Sequence, residues 1–264
     1  MAFDVTLGQY IPGESFVHRL DPRTKLIMAL ALIVVLFMIE SFIGYLWVAG
    51  FLLLAIINGD IPLSSITRGL KPLTLIILLT VILNIFFTEG TQVLWQWKFI
   101  KITQEGIAKG LLLGVRLILL ILSTTIMTLT TSPLAITDGL EYLLSPLKKL
   151  KFPAHELSMM LTIALRFIPT LLEETDKIIK AQMARGADFE SGNLFRRAQN
   201  MVPLLVPLFV SAFRRADDLA TAMESRCYRG GEGRTRLNEL VFQRADYFVL
   251  GIVLPVLVLV VVLF

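Results

Sequence analysis

A chain of 264 residues with 55% hydrophobic and 17% charged side chains and a mean hydropathy of +0.73 lies outside the composition of soluble globular domains. The formal net charge is only +4, and the single cysteine, Cys227, excludes an internal disulfide. With two histidines, His18 and His155, the chain offers no set of metal ligands, and neither a metal nor a nucleic-acid partner is expected.

The start, MAFDVTLGQYIPGESF, lacks the basic-then-apolar layout of a cleavable signal peptide, so the first span is expected to stay and serve as the insertion signal. Asp21-Pro22 reads as an N-cap followed by proline at the first helical position. Five apolar windows read as spans: 26–39 with its flanks, 42–58, 73–87, 107–130 and 247–264. Several are about 15 to 18 residues long, near the lower limit for a helix crossing ~30 Å of hydrocarbon.

Between the third and fourth spans, TQVLWQWKFIKIT carries Trp95, Trp97 and Phe99 on alternate positions. That alternation predicts a short strand or hairpin, and its tryptophans suit the membrane interface. The fourth span opens with Gly106, Gly110 and Gly114, each four apart and therefore on one helix face, where another backbone can approach closely. Packing against a sister span is the favoured reading; a contact face for another membrane protein is the alternative. Arg116 is expected to snorkel to the outer headgroups.

From residue 132 to 244 the pattern turns amphipathic. Ser132-Pro133 opens a short helix through Leu144, and Ser145-Pro146 interrupts it. A long helix follows from Pro153 to Arg185 and Gly186, ~50 Å at 1.5 Å per residue. After a turn at 188–193, a second of nearly equal length runs from Leu194 to Arg226 or Tyr228. Their apolar stretches, LSMMLTIALRFIPTLL and MVPLLVPLFVSAF, are broken by Arg166 and Pro169 or closely flanked by Arg196, Arg197, Arg214 and Arg215. Both are read as helices at or beneath the inner membrane surface, with bends expected at Pro169, Pro203 and Pro207.

Sixteen of the 25 Lys and Arg residues fall between 131 and 244, which places that segment in the cytoplasm. Arg19, Arg23 and Lys25 place the N-terminus there too, and Arg68 and Lys71 the loop after the second span. Lys98, Lys101 and Lys109 run against this pattern. The fifth span then leaves the C-terminus outside. Three regions result: a membrane domain at 1–131 with four spans, a cytoplasmic helical domain at 132–244 and a last transmembrane helix at 245–264.

The two long helices end alike. Superimposing Arg185 on Arg226 also pairs Asp176 with Asp217, Ala181 with Ala222 and Ala184 with Ser225, a repeat spaced 41 residues apart. Small residues at i and i+3 beside an arginine at i+4 make a narrow helix end tipped by a guanidinium. One such arginine could merely complement the helix dipole, worth ~0.3–1 kcal/mol; two on helices of equal length point to a shared role. Up to a helix length apart, they cannot form one site, and they suit two related sockets on a dimeric or pseudo-dimeric cytoplasmic partner. Asp176 and Asp217 either pair with nearby basic residues or belong to a solvated face.

Ala184-Arg185-Gly186 and Ser225-Arg226-Cys227, with PGESFVHRLDPRTKL near the start and ALRFIPTLLEETDKIIKAQMARG in the middle, resemble the EcfT family, the transmembrane coupling subunits of energy-coupling factor (ECF) transporters. The resemblance covers essentially the whole chain. It implies an all-α protein of the prokaryotic plasma membrane, with about five transmembrane helices and three cytoplasmic coupling helices, two of them long. It also implies two ABC ATPase subunits, a heterodimer of EcfA-type chains, docked on the arginine ends, and an interchangeable membrane S component that binds a vitamin or metal ion. By position, Ala184, Arg185 and Gly186 would contact one ATPase, and Ser225, Arg226 and Cys227 the other. The second triplet departs from Ala-Arg-Gly, and without a glycine its helix could run on to Gly230-Gly231.

No G-x4-G-K-[ST] stretch occurs, so ATP and its magnesium are expected on the partner ATPases and no cofactor on this chain. A conventional ABC permease with its own substrate path is the alternative, but it would be expected to present one coupling segment per subunit. A secondary transporter fits less well, because the carboxylates Glu40, Glu89 and Glu105 sit at span boundaries. An intramembrane enzyme is remote: neither His18 with Asp21 nor His155 with Glu156 has a nucleophile beside it.

Overall fold

The computed structural model describes residues 10–89, 93–97, 100–150, 152–187, 189, 193–230 and 240–263. Among them the chain is mostly helical, and it divides into two compact units.

The larger unit begins with the one-turn helix α1, Phe16–Arg19. Helix α2, Pro22–Met38, starts as predicted: the Asp21 carboxylate accepts the Arg23 backbone N–H at 2.8 Å, and Pro22 takes the first turn. Helix α3, Phe42–Asn58, coincides with the second apolar window, and the Ser41 hydroxyl accepts from Gly44 N–H at its start. The third window reaches further upstream than its hydropathy implies. Helix α4 (Leu63–Leu70), a 3-10 turn at Lys71–Leu73 and α5 (Thr74–Phe87) follow head to tail. Arg68 and Lys71, expected in a loop, are therefore helical. Pro72 lacks an N–H, and at the start of α5 its fixed φ tightens the chain without breaking it.

Strands β1 (Val93–Trp97) and β2 (Ile100–Thr103) form the expected antiparallel hairpin, with an irregularity between Val93 and Trp95. Thr103 closes it onto α6, Gln104–Thr130, accepting from Gly106 N–H and donating to the Thr88 carbonyl at 3.1 Å each. Helix α7, Pro133–Leu144, lays Gly139 against Pro22 and Leu26. Helix α10 spans Arg244–Leu263.

Among the described residues three helical runs are long and apolar enough to cross a membrane: Leu63–Phe87, Gln104–Thr130 and Arg244–Leu263. Helices α2 and α3 have 17 residues each, ~25 Å, at the lower end of the spanning range. The core lies where α2, α3, α6 and α10 meet, around Leu36, Ile39, Tyr45, Val48, Leu119, Ile126 and Leu257.

At one end of this core sits a buried ionic knot. The Arg23 guanidinium donates to both Asp21 oxygens at 2.8–2.9 Å and to the Leu240 carbonyl at 2.8 Å, and it stacks between the rings of Tyr142 and Phe242. Asp246, wholly buried, accepts from the backbone N–H of Asp21 and of Gln243 at 2.8 Å. Charges this deep persist because nearly every lone pair and proton is matched, and the knot ties the start of α2 to the start of α10.

Arg116 does not snorkel. Its Nε donates to the Tyr45 hydroxyl at 2.7 Å and its Nη2 to the Ile39 carbonyl at 3.0 Å. Tyr45 in turn donates to the Leu36 and Ile39 carbonyls. The cation thus complements the Ile39 carbonyl and the negative dipole end of α2 from within the protein.

The smaller unit holds α8 (Ala154–Ala184) and α9 (Leu194–Ser225), with the 3-10 turn Ser145–Leu150 packed on α8. Both long helices continue through their prolines, Pro169 in one and Pro203 and Pro207 in the other. The turn predicted at 188–193 lies mostly outside the described residues.

Candidate functional site: two matched arginine ends

Helices α8 and α9 run antiparallel. The Tyr228 hydroxyl meets Met159 Sδ at 3.0 Å, while Glu174, fifteen residues further along α8, meets Ser211 and Arg215. Between them Ala212, Ala216 and Ala220 face Ile163, Phe167 and Leu171 across an apolar groove of about 530 Å³. Since Arg226 lies beside the Met159 level and Arg185 is 26 residues further on (185 − 159), the helical rise separates the arginines by ~39 Å.

Each helix stops in the same way. At the end of α8, Gly186 N–H donates to the Met183 carbonyl at 2.9 Å and Ala187 N–H to the Gln182 carbonyl at 3.0 Å, with Gly186 at φ 86°. At the end of α9, Cys227 N–H donates to Glu224 at 2.9 Å and Tyr228 N–H to Met223 at 3.0 Å, with Cys227 at φ 56°. Both are Schellman terminations, a six-to-one and a five-to-two bond around a left-handed residue. The possible run-on to Gly230-Gly231 does not occur. The paired carbonyls of the last turn recruit these N–H groups strongly enough to hold a cysteine in a conformation that usually falls to glycine.

The consequence is that Arg185 and Arg226 occupy the same cap position, the last before the chain reverses. Ala184, Arg185 and Gly186 are exposed, as are Ser225, Arg226 and Cys227. Neither guanidinium has a hydrogen bond or ion pair among the described residues. A planar fork of five donors beyond a helix end lined by small side chains is built to enter a groove and meet carboxylates or carbonyls there. Of the aspartates in the repeat, Asp176 pairs with Lys180 one turn on, whereas the Asp217 carboxylate has no ion pair among the described residues.

Glu174, which sequence reading passed over, fastens the helices to each other: Ser211 Oγ donates to Oε1, and Arg215 Nη2 to Oε2 at 2.9 Å. Those hydrogen bonds, Ser211 first, together with the Arg215 charge hold its carboxyl below the usual carboxylate range. Nothing in EETDK distinguishes Glu174 from Glu173, because its partners lie 37 and 41 residues away.

The three glycines of the fourth span are buried against α5. A Cβ at Gly106 would lie 3.1 Å from the Ile85 carbonyl oxygen, at Gly110 3.0 Å from the Val81 carbonyl oxygen, and at Gly114 2.7 Å from Val81 Cγ2. This face is filled by the chain's own preceding helix.

Apolar helices long enough to span a bilayer, joined in one chain to a pair of antiparallel helices with matched cationic ends, define a mostly helical protein of the membrane class. The CbiQ family model, described as cobalt transport protein, matches residues 13–237. The energy-coupling factor transporter transmembrane protein EcfT of Acidaminococcus fermentans is 57% identical over 93% of this chain and 91% of its own length. EcfT of Ruminiclostridium cellulolyticum is 53% identical over 96% and 94%, and EcfT of Bacillus subtilis 50% identical over 93% of each. The chain belongs to the EcfT family and is a transmembrane component of an energy-coupling factor transporter.

Proposed function

We propose that this subunit couples ATP hydrolysis by two cytoplasmic ABC ATPases, a heterodimer of EcfA-type chains, to reorientation of a membrane S component carrying a vitamin or metal ion. The observation that carries this reading is the repeated helix termination: two matching caps, each presenting an exposed arginine with no partner among the described residues, ~39 Å apart along one helix pair. A partner with two like sockets at that spacing fits both at once. ATP and its magnesium belong to the ATPases, and this chain performs no chemistry of its own. As the ATPases close and open around nucleotide, α8 and α9, pinned together at Glu174, shift between packed arrangements and pass the movement to the S component. The smaller unit and the N-terminus lie in the cytoplasm and the C-terminus outside.

Crosslinking tests this scheme. Ala184→Cys and Ser225→Cys, each in a Cys227→Ser background, are expected to crosslink to different ATPase chains in the purified complex. Crosslinks from both positions to one and the same ATPase copy, or to neither, would overturn it.

A further inference from the structure

Segment 144–237 of the smaller unit is an insertion in the larger one: the chain leaves the larger unit after Leu143 and has re-entered it by Leu240. One side chain, Arg23, holds both crossings. Its guanidinium lies 4.2 Å from the ring centre of Tyr142, next to the exit, and 3.9 Å from that of Phe242, just past the re-entry. Its Nη2 also donates to the Leu240 carbonyl at 2.8 Å. All of these groups belong to the larger unit.

The guanidinium is itself fixed in place. Asp21 accepts from Nε at 2.9 Å and from Nη2 at 2.8 Å, and the Asp21 N–H is in turn held by Asp246 in the first turn of α10. Arg23 is 2% exposed and Asp246 0%. Gly139 brings α7 down onto the same turn of α2, where a Cβ would stand 3.0 Å from Leu26 Cδ1 and 3.3 Å from Pro22 Cβ.

An apolar cluster of equal volume would stabilise this end of the fold about as well as a buried ion pair does. What it would lack is register, because a planar guanidinium fixes its partners in direction as well as distance. Here hydrogen bonds and ring contacts bring α2, α7 and the chain entering α10 onto one plane. Were only one crossing held, slack at the other would absorb a displacement of the inserted helices.

We infer that Arg23 is the shared anchor of the two crossings, a positioning residue through which displacement of α8 and α9 reaches the starts of α2 and α10 together. The inference rests on the coupling role proposed above. Movements of this kind turn on a few residues at element ends. Arg23 in the first turn of α2, Tyr142 in the last turn of α7 and Phe242 just before α10 all stand at such ends.

Hydrogen exchange read by mass spectrometry on the complex purified with its two ATPases, with and without ATP and vanadate, tests the anchor. In the wild type, nucleotide is expected to change protection at the α8 and α9 caps and also in the first turns of α2 and α10. Tyr142→Leu and Phe242→Leu each release one crossing while keeping an apolar side chain; both should retain the cap response and lose that of α2 and α10. Asp21→Asn combined with Arg23→Met strands neither charge, leaves an acceptor for the α2 cap, and should have the same effect. A nucleotide response of α2 and α10 that survives in this paired variant, or in both leucine variants, would overturn the inference. So would exchange that is raised there but still responds to nucleotide, the signature of a merely structural fastening. In the wild type, a cap response without one in α2 and α10 would overturn the anchor alone, whereas no cap response would overturn the coupling role beneath it.

Discussion

Gly186 and Cys227 hold the same left-handed backbone position, at φ 86° and 56°, each one residue beyond the arginine that ends its helix. Only the glycine does so freely; for an L side chain the conformation costs about 1 kcal/mol. Cys227→Gly is therefore expected to stabilise the end of α9 by about that amount while leaving the position of Arg226 unchanged. Gly186→Val should destabilise the end of α8 by a similar or larger amount, since a β-branched residue is poorly suited to this region. Amide exchange at Ala187 and Tyr228 reads both effects directly, because those N–H groups close the caps. Unchanged protection at Tyr228 in Cys227→Gly would show that the left-handed cysteine is not strained.

Arg185→Ala and Arg226→Ala each remove a guanidinium while leaving the cap hydrogen bonds in place, since those are made by backbone alone. If each tip is buried against a partner carboxylate, its loss strands that carboxylate and costs about 2–5 kcal/mol of binding. Each variant should reduce ATPase co-purification or uncouple hydrolysis from uptake, and the double variant should do so most. Full assembly and full uptake by the double variant would rule out the docking role.

The features visible in the sequence were those set by residues close along the chain. Asp21-Pro22 marks the start of α2, 42–58 marks α3 to the residue, and alternation over 93–103 marks the hairpin. The small-small-Arg pattern likewise finds both long-helix ends. What stayed hidden depends on partners far apart in sequence. Arg116 reaches a hydroxyl 71 residues away and a carbonyl 77 residues away, and hydropathy can only assign such a cation to the nearest water. Cys227 was obscure for a different reason: its intrinsic preference disagrees with the conformation that the cap bonds impose on it.

Glu174 makes the α8–α9 pairing sensitive to acid. Its folded carboxyl titrates below the ordinary value of 4.5, so its contribution is fully present above that value and is lost as pH falls through the depressed one. The Glu174 and Arg215 side chains are 25% and 37% exposed, so solvent screening limits the ion pair to about 0.5–1 kcal/mol. Glu174→Gln keeps an acceptor for Ser211 and removes the charge. Its stability deficit should be constant at neutral pH and shrink toward zero as pH falls from 4.5 through the depressed folded value. Thermal melts of both proteins across pH 3 to 7 measure this, and a deficit independent of pH would exclude the charge as its cause.

Gly110 offers the sharpest test of how the third and fourth spans meet. Its missing side chain lets α6 approach α5 until a Cβ there would stand 3.0 Å from the Val81 carbonyl oxygen and 3.2 Å from Ile85 Cγ1. The first of these is backbone and cannot rotate aside, so even alanine forces the helices apart. Gly110→Ala should cost about 1 kcal/mol and Gly110→Leu about 3 kcal/mol, in the range of overpacked interiors. Since the face is already covered by α5, the loss should appear in the isolated subunit as a lower melting temperature or poor yield, before any partner is added. A leucine variant that melts normally alone but fails to capture its membrane partner would instead return these glycines to the role of a contact face.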